Sequence, residues 1–414
     1  MAETTEVTPQ RKRDIRKSNG FILSALAGGH TLFHWMIQGF VVLLPEIQAT
    51  FHLSGVGVGA LVTTRELASG IVSLPGGFII DPLRRYWGLL LAVCIGGISL
   101  GALILGLSPV YPLLLAGIAI VAISHSIWHL PASASLSYHF SQRRAMALSF
   151  HGVGGSIGDV AGPVATGSLL LVLGWQGILS VYAIAPFFLA FMAVWAFRDI
   201  GGPDTDSGGA ANFDRRKEAT KRLLRNRAMW GVILVRGLRS MCLVALVTIL
   251  PLYLANDLGM SPFARGVHIG LLIAIGLIAK PMMGYLSDRI GRKQVLVPGL
   301  IWSCAISLLL AGFSEGISLT VLIALLGLFL YPDQPILTAA TLEIVGREVA
   351  TTALGIVAFF SFLMAAVSPL IAAPLYGALG LDAALYYVAT LFAAAAIILA
   401  LVPLTAKEAS PLQD

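Results

Sequence analysis

The side chains in this sequence with the capacity for chemistry are polar residues set inside long apolar runs. His30 and His34 are four apart, as are His125 and His129, so each pair falls on one face of a helix, with Gln38 a turn beyond His34. Arg236 and Arg239 share a later apolar run, and Tyr331, Asp333 and Gln334 lie beside Pro332 and Pro335. Glu66 and Asp159 are two further acids deep in apolar sequence. An imidazole changes charge near neutral pH. A carboxylate that alternates between dry and wetted surroundings can load and release a proton, because desolvation disfavours its charged form. Guanidinium groups recognise anions. The histidines, Arg236, Arg239, Gln38, Tyr331 and Gln334 are therefore the candidate substrate ligands, and Asp159, Asp333 and Glu66 the candidate proton carriers. Asp159 has no basic residue one turn away on its own helix and is expected to be unpaired. Arg65 and Glu66, adjacent in sequence, diverge by about 100° on a helix and make poor partners for each other. Lys280 is expected to snorkel towards water, and Glu46 and Glu343 to lie at an interface.

These groups require elements that hold them away from water. Of 414 residues, 57% are hydrophobic and 12% charged, against about 25% charged in an ordinary soluble domain. A hydrocarbon layer about 30 Å thick needs roughly 20 apolar residues at about 1.5 Å each. On that ruler twelve spans appear, near 20–45, 57–80, 87–108, 111–137, 145–172, 175–197, 228–254, 264–286, 295–313, 317–341, 350–376 and 382–403. The first is too long for a signal peptide and follows a basic tail. The three cysteines all lie in apolar runs and suggest neither a disulfide framework nor a metal site.

With both termini on the cytoplasmic side, 22 of the 27 Lys and Arg fall in tails or cytoplasmic loops, four within spans, and Arg265 alone outside. The net charge of +6 thus reads as membrane orientation, with no nucleic-acid partner implied. The expected organisation is a cytoplasmic tail (1–19), a six-helix bundle (20–197), a polar, Gly-rich and basic cytoplasmic linker (198–227), a second six-helix bundle (228–403) and a cytoplasmic tail (404–414). No Walker loop and no HExxH string appears. No catalytic residue, metal ligand or bound cofactor is expected, and energy should come from an ion gradient, H+ being the candidate.

The halves repeat each other. Gly284-Tyr-Leu-Ser-Asp288-Arg289-Ile-Gly291-Arg292-Lys293 follows the eighth span, and Gly77-Phe-Ile-Ile-Asp81-Pro-Leu-Arg84-Arg85 follows the second, with Gly and Asp offset by 207 residues; Pro45 and Pro251 end the first and seventh. The stretch 284–293 resembles the loop signature of the major facilitator superfamily at every defined position. The first copy departs from it, with Pro82 and Arg84 where the family has Arg and Gly, so a distorted loop is expected there. In this reading Gly284 permits close helix approach and Asp288 caps or pairs with a neighbouring helix terminus.

A narrower resemblance covers spans 1, 4 and 5. His30 with Met36-Ile37-Gln38, Ser126-Ile-Trp128-His129-x-x-Ala132-Ser133, and Arg144-Ala-x-Ala147-x-Ser149-x-x-x-Val153-Gly154-Gly155 with Gly162-Pro163 are similar to the fosmidomycin-resistance branch of that superfamily. His34-Trp35 replaces an acidic residue of that pattern, and Leu130-Pro131 replaces Pro-Glu. Gly158, Gly162 and Pro163 resemble the Gly-x-x-x-Gly-Pro motif of antiporters. The resemblance implies an all-α integral membrane fold of twelve helices in two pseudo-symmetric bundles, with spans 1, 4, 7 and 10 lining a central cavity. It implies a monomeric, proton-coupled exporter of a small organic compound or drug in the inner membrane. Arg236 and Arg239 suggest an anionic substrate. An uptake symporter for an organic anion or metal chelate, and a receptor or enzyme on the same fold, are the alternatives.

Overall fold

The computed structural model describes residues 14–79, 83–201, 221, 225–345 and 350–403, and among these there is no β-strand. Ser18 caps α1 (Asn19–Val42), its side chain accepting from the Phe21 N–H, which satisfies one of the free donors at the helix start. The chain turns at Leu43 and continues as α2 (Leu44–Phe51), where Pro45 occupies the first turn and needs no hydrogen-bonded N–H. His52, at φ 49°, ends α2 in the left-handed region. The rest of the first half is α3 (Gly55–Ile79), α4 (Trp87–Gly106), α5 (Tyr111–His139), α6 (Arg144–Leu169) and α7 (Trp175–Ala196). The second half is α8 (Arg227–Asn256), α9 (Pro262–Ile290), α10 (Arg292–Gly312), α11 (Gly316–Leu330), α12 (Asp333–Val345), α13 (Ala350–Val367), α14 (Pro369–Leu379) and α15 (Leu381–Leu401). α11 and α12 make one span broken at Tyr331 and Pro332, and α13 and α14 another broken at Ser368. Pro45 and Pro251 do not terminate their spans: the first opens α2 and the second lies inside α8.

Among the described residues, nine helical stretches are long and apolar enough to cross a membrane by length and composition. α1, α3 and α6 complete the twelve; glycines, histidines and hydroxyl residues dilute their apolar character. The dilution has a structural use, because the small residues let these helices lie backbone against backbone on their neighbours. α1 packs along α6, α4 against α5 and α7, and α3 against α5; the second half repeats this with α8 along α13 and α14, α10 against α11 and α15, and α9 against α11. The halves join through α6 with α9 and through α3 with α13 and α14, a pairing that exchanging the halves preserves.

Backbone-to-backbone contact is what the glycines supply. A Cβ on Gly162 would lie 2.6 Å from the Trp35 carbonyl oxygen, and Cβ atoms on Gly154 and Gly158 would press as closely on Ala27 and Thr31. Residues spaced by four on α6 thus meet residues spaced by four on α1. Between the halves, Gly55 and Gly59 sit against Ala373 and Pro369 in the same manner, and Gly167 against Pro262 and Gly266. Arg265 pairs with Glu46 and Asn256 Nδ2 donates to Gln48 Oε1 at 3.1 Å, so the halves are bolted together at the end away from the linker. Arg265, expected in an outer loop, is buried in α9, and Glu46 is its partner and not merely interfacial.

Of the linker, residues 202–220 and 222–224 lie outside the described residues, as do 1–13 and 404–414. Its beginning packs on the first half: the Gly201 carbonyl accepts from Arg84 Nε at 2.5 Å, and the Ile200 carbonyl from His139 Nε2 at 2.9 Å. In the N-terminal tail, Asp14 accepts from Arg16 at 2.6 Å, which holds its carboxyl below the ordinary carboxylate range.

Candidate functional site

The two histidine pairs meet. α1 and α5 bring His30 within 4.5 Å of His34 and 4.8 Å of His129, ring centroid to centroid, and His34 within 5.1 Å of His125. His125 Nε2 and His129 Nε2 are 3.1 Å apart. A fifth imidazole, His151 of α6, stacks on His30 at 4.1 Å with planes 11° apart. His151 is the residue that sequence reasoning missed. Its signal was present, a fifth histidine in apolar sequence inside the stretch already compared with the drug exporters, but only the α1–α6 contact shows that it joins the others. Glycine makes room for the group: a Cβ on Gly155 would lie 2.6 Å from His30 Cε1.

Asp159 is not unpaired. Its partner comes from another helix, with His34 Nδ1 2.7 Å from Asp159 Oδ1. Arg65 and Glu66 likewise overturn their expectation, since Arg65 Nε donates to Glu66 Oε1 at 2.8 Å. The Cβ vectors diverge, yet the arginine stem is long enough to curl back, and in a buried setting no water competes for either group. Glu66 is therefore committed to Arg65.

In the second half, Arg239 Nε donates to Asp333 Oδ2 at 2.7 Å, and its terminal nitrogen donates to the Leu330 carbonyl freed by the break between α11 and α12. Both charged side chains are more than nine-tenths buried. Asp333 Oδ1 has no hydrogen-bond partner. Arg236, one turn earlier, donates to Thr338 Oγ1 at 3.0 Å and has no carboxylate partner among the described residues. Lys280 does not snorkel away: its Nζ lies 5.9 Å from the Tyr331 ring centroid. Tyr331 is buried with its hydroxyl unpartnered, Gln38 Oε1 is unpartnered too, and Gln334 is exposed. The structure thus gathers the predicted residues into two groups, imidazoles with Asp159 on α1, α5 and α6, and guanidinium groups with Asp333 on α8 and α12.

The repeated loop is described in its second copy. Gly291 has φ 105°, a conformation that favours glycine, and it joins α9 to α10. Asp288 pairs with Arg292 at 2.5 Å, and Arg292 reaches Glu343 at the end of α12 at 2.9 Å, so Glu343 is a partner and not simply interfacial. Arg289 lies over the Tyr285 ring at 4.7 Å. Gly284 does not serve close approach, for a Cβ there would meet nothing within 4 Å. In the first copy Gly77 lies in α3, Asp81 is outside the described residues, and Arg85 lies over the Tyr86 ring at 4.6 Å, while Arg84 is the residue that anchors the linker. Two Gly-x-Ser-x-Gly strings, at 97–101 and 154–158, run within α4 and α6; Ser99 Oγ donates to Ala183 O at 2.7 Å, and neither forms a strand-to-helix elbow.

Two halves with matched helix packing, joined through α3 with α13 and α14 and through α6 with α9, and each carrying buried charge within its helices, have the build of a multi-pass membrane carrier. Residues 26–280 and 248–413 match the family model of the Major Facilitator Superfamily, and the chain belongs to that family. It is a transporter and not an enzyme. It is 23% identical over 293 residues to the fosmidomycin resistance protein of Escherichia coli, covering 70% of each chain. It is 22% identical over 386 residues to the membrane sensor protein UhpC of the same organism, covering 84% of this chain and 83% of that one. Its fold is similar to that of a bacterial homolog of the human lysosomal transporter Spinster in an inward-facing, unoccupied conformation, with TM-score 0.75, 15% identity and coverage of 94% of this chain and 96% of that one.

Proposed function

We propose that this protein is a proton-coupled exporter of a small organic anion, working by alternating access in the inner membrane with both termini in the cytoplasm. The observation that carries this reading is the buried Arg239–Asp333 pair between α8 and α12, with Arg236 beside it lacking a carboxylate. An intramembrane ion pair is costly to bury and is a functional feature by default. With Asp333 ionised, its pair with Arg239 holds α8 on α12, and Arg236 beside it takes the anion from the cytoplasmic side. A proton arriving at Asp333 from the outer side breaks that pair, loosens the site and releases the anion. The proton leaves to the cytoplasm as the pair re-forms, so that proton and anion cross in opposite directions. The fosmidomycin resistance relative supports a phosphonate as the first probe.

The test uses proteoliposomes containing the purified full chain, [3H]fosmidomycin and an imposed pH gradient. Proton-driven accumulation and counterflow above protein-free vesicles are expected, and Asp333→Asn should retain counterflow while losing accumulation. Because that variant leaves Arg239 unpaired, the double variant Arg239→Gln with Asp333→Asn serves as the folding control. Accumulation by Asp333→Asn at the wild-type level would place the coupling proton elsewhere. The direction of proton movement separates export from uptake, and the absence of any counterflow would favour a sensor role like that named for the UhpC relative.

A further inference from the structure

The imidazole group of the first half is separate from the guanidinium pair and has no part in the coupling step just described. We propose that it is a binding site for one divalent transition-metal cation of the Zn2+, Co2+ or Ni2+ class, held by His34, His125 and His129 with the adjacent His30 ring as the fourth ligand. Two triads of ring nitrogens, His34 with His125 and His129, and His30 with His129 and His151, each have all their ligand atoms within 4.8 Å of one another, and His129 belongs to both. Ligand nitrogens at about 2.0–2.1 Å from a tetrahedral metal stand about 3.4 Å apart. The 3.1 Å between His125 Nε2 and His129 Nε2 already meets that spacing, and small ring rotations of half-buried side chains bring in the others.

The orientation of the rings is the stronger argument. His30 Nδ1 lies 2.7 Å from the His151 carbonyl oxygen, and His34 Nδ1 lies 2.7 Å from an Asp159 carboxylate oxygen. Both oxygens can only accept, so each Nδ1 carries its hydrogen and donates. In the neutral rings Nε2 then holds a lone pair. His30 Nε2 and His34 Nε2 are buried and have no hydrogen-bond partner, although His30 as a whole is only 7% exposed. Buried polar nitrogens without partners are costly and call for an explanation. A metal supplies it, and a carbonyl and a carboxylate on the far nitrogen are the outer partners that metal-bound histidines characteristically use. Asp159 in addition sets one negative charge beside a divalent cation.

The donor set decides the class of ion. Ca2+ and Mg2+ take oxygen ligands, and the one carboxylate here is spent on His34. Imidazole nitrogens select Zn2+, Co2+, Ni2+ and Cu2+, with affinity rising towards Cu2+. On binding, the hydrogen between His125 and His129 moves to Nδ1 of whichever ring carries it, so that ring changes tautomer without losing a proton.

The experiment is isothermal titration of the full chain, purified on a tag free of histidine and stripped with chelator, against Zn2+ and Ni2+, with the visible spectrum of the Co2+ form as a report on geometry. One equivalent bound, with a tetrahedral, nitrogen-ligated Co2+ spectrum, is expected. His129→Gln and His34→Gln should each weaken binding at least tenfold, and Asp159→Asn by about 10–100-fold, as removal of an outer partner does. His268→Gln, whose ring bonds Ala264 and Thr320 away from the group, should bind as wild type. Should His129→Gln not fold, the comparison of His34→Gln with wild type decides the question. No binding by the wild type, or equal binding by wild type and His34→Gln, overturns the proposal. Since the readout is binding in detergent, it is independent of whether the protein carries fosmidomycin.

Discussion

Gly158→Ala is expected to separate α1 from α6 and to destabilise the protein. An added methyl carbon at Gly158 would lie 2.8 Å from Trp35 N and 2.9 Å from His34 Cβ, and closer still to the Thr31 carbonyl oxygen. Carbon atoms rest at about 3.5–4.0 Å, so α1 must retreat by at least ~0.6 Å along a contact that is backbone on both sides. Such overpacking costs about 1–3 kcal/mol. The same substitution removes a flexible glycine from a helix interior, which by itself favours folding by about 0.5–1 kcal/mol. Gly152→Ala isolates the two effects, because it lies in the same helix and its methyl would meet nothing within 4 Å. The propensity gain is common to both variants, so their difference reports the contact alone. At about 2 °C per kcal/mol for a large chain, Gly158→Ala should melt roughly 2–6 °C below Gly152→Ala in the same detergent. Thermal unfolding followed by a thiol-reactive dye at the buried cysteines gives the ranking directly. Equal melting temperatures for the two variants would refute the close contact of α1 with α6.

Two further outcomes concern the loop and the linker. Asp288→Asn should slow transport while leaving the melting temperature within about 1 °C, since Asp288 is largely exposed and such pairs contribute about 0–1 kcal/mol; Arg292→Gln should lower it further, because Arg292 also ties the α9–α10 corner to Glu343 on α12. A cysteine placed at residue 205 should react with a membrane-impermeant maleimide only after cells are opened, and labelling in intact cells would refute the cytoplasmic linker.

The composition, the span lengths and the repeat at residues 77–85 and 284–293 were sufficient to place this chain among twelve-helix carriers, because a membrane imposes one period, one length and one charge bias on any helix that crosses it. The sequence also determined which faces of α1 and α5 carry histidine, through spacing alone. It could not determine partners that lie far apart in sequence. Asp159 is 125 residues from His34, and Asp333 is 94 from Arg239. Neither pairing leaves a local signature. The sequence also misled where side-chain reach outweighed Cβ direction, as with Arg65 and Glu66, and where a glycine in a shared motif met open space, as at Gly284. Only the tertiary structure brought His151 to His30, by laying the glycine row of α6 on the backbone of α1, and so turned two histidine pairs and a stray fifth into one group of rings. Helix periodicity is local and legible along a chain, whereas the neighbour across a helix interface is chosen by packing.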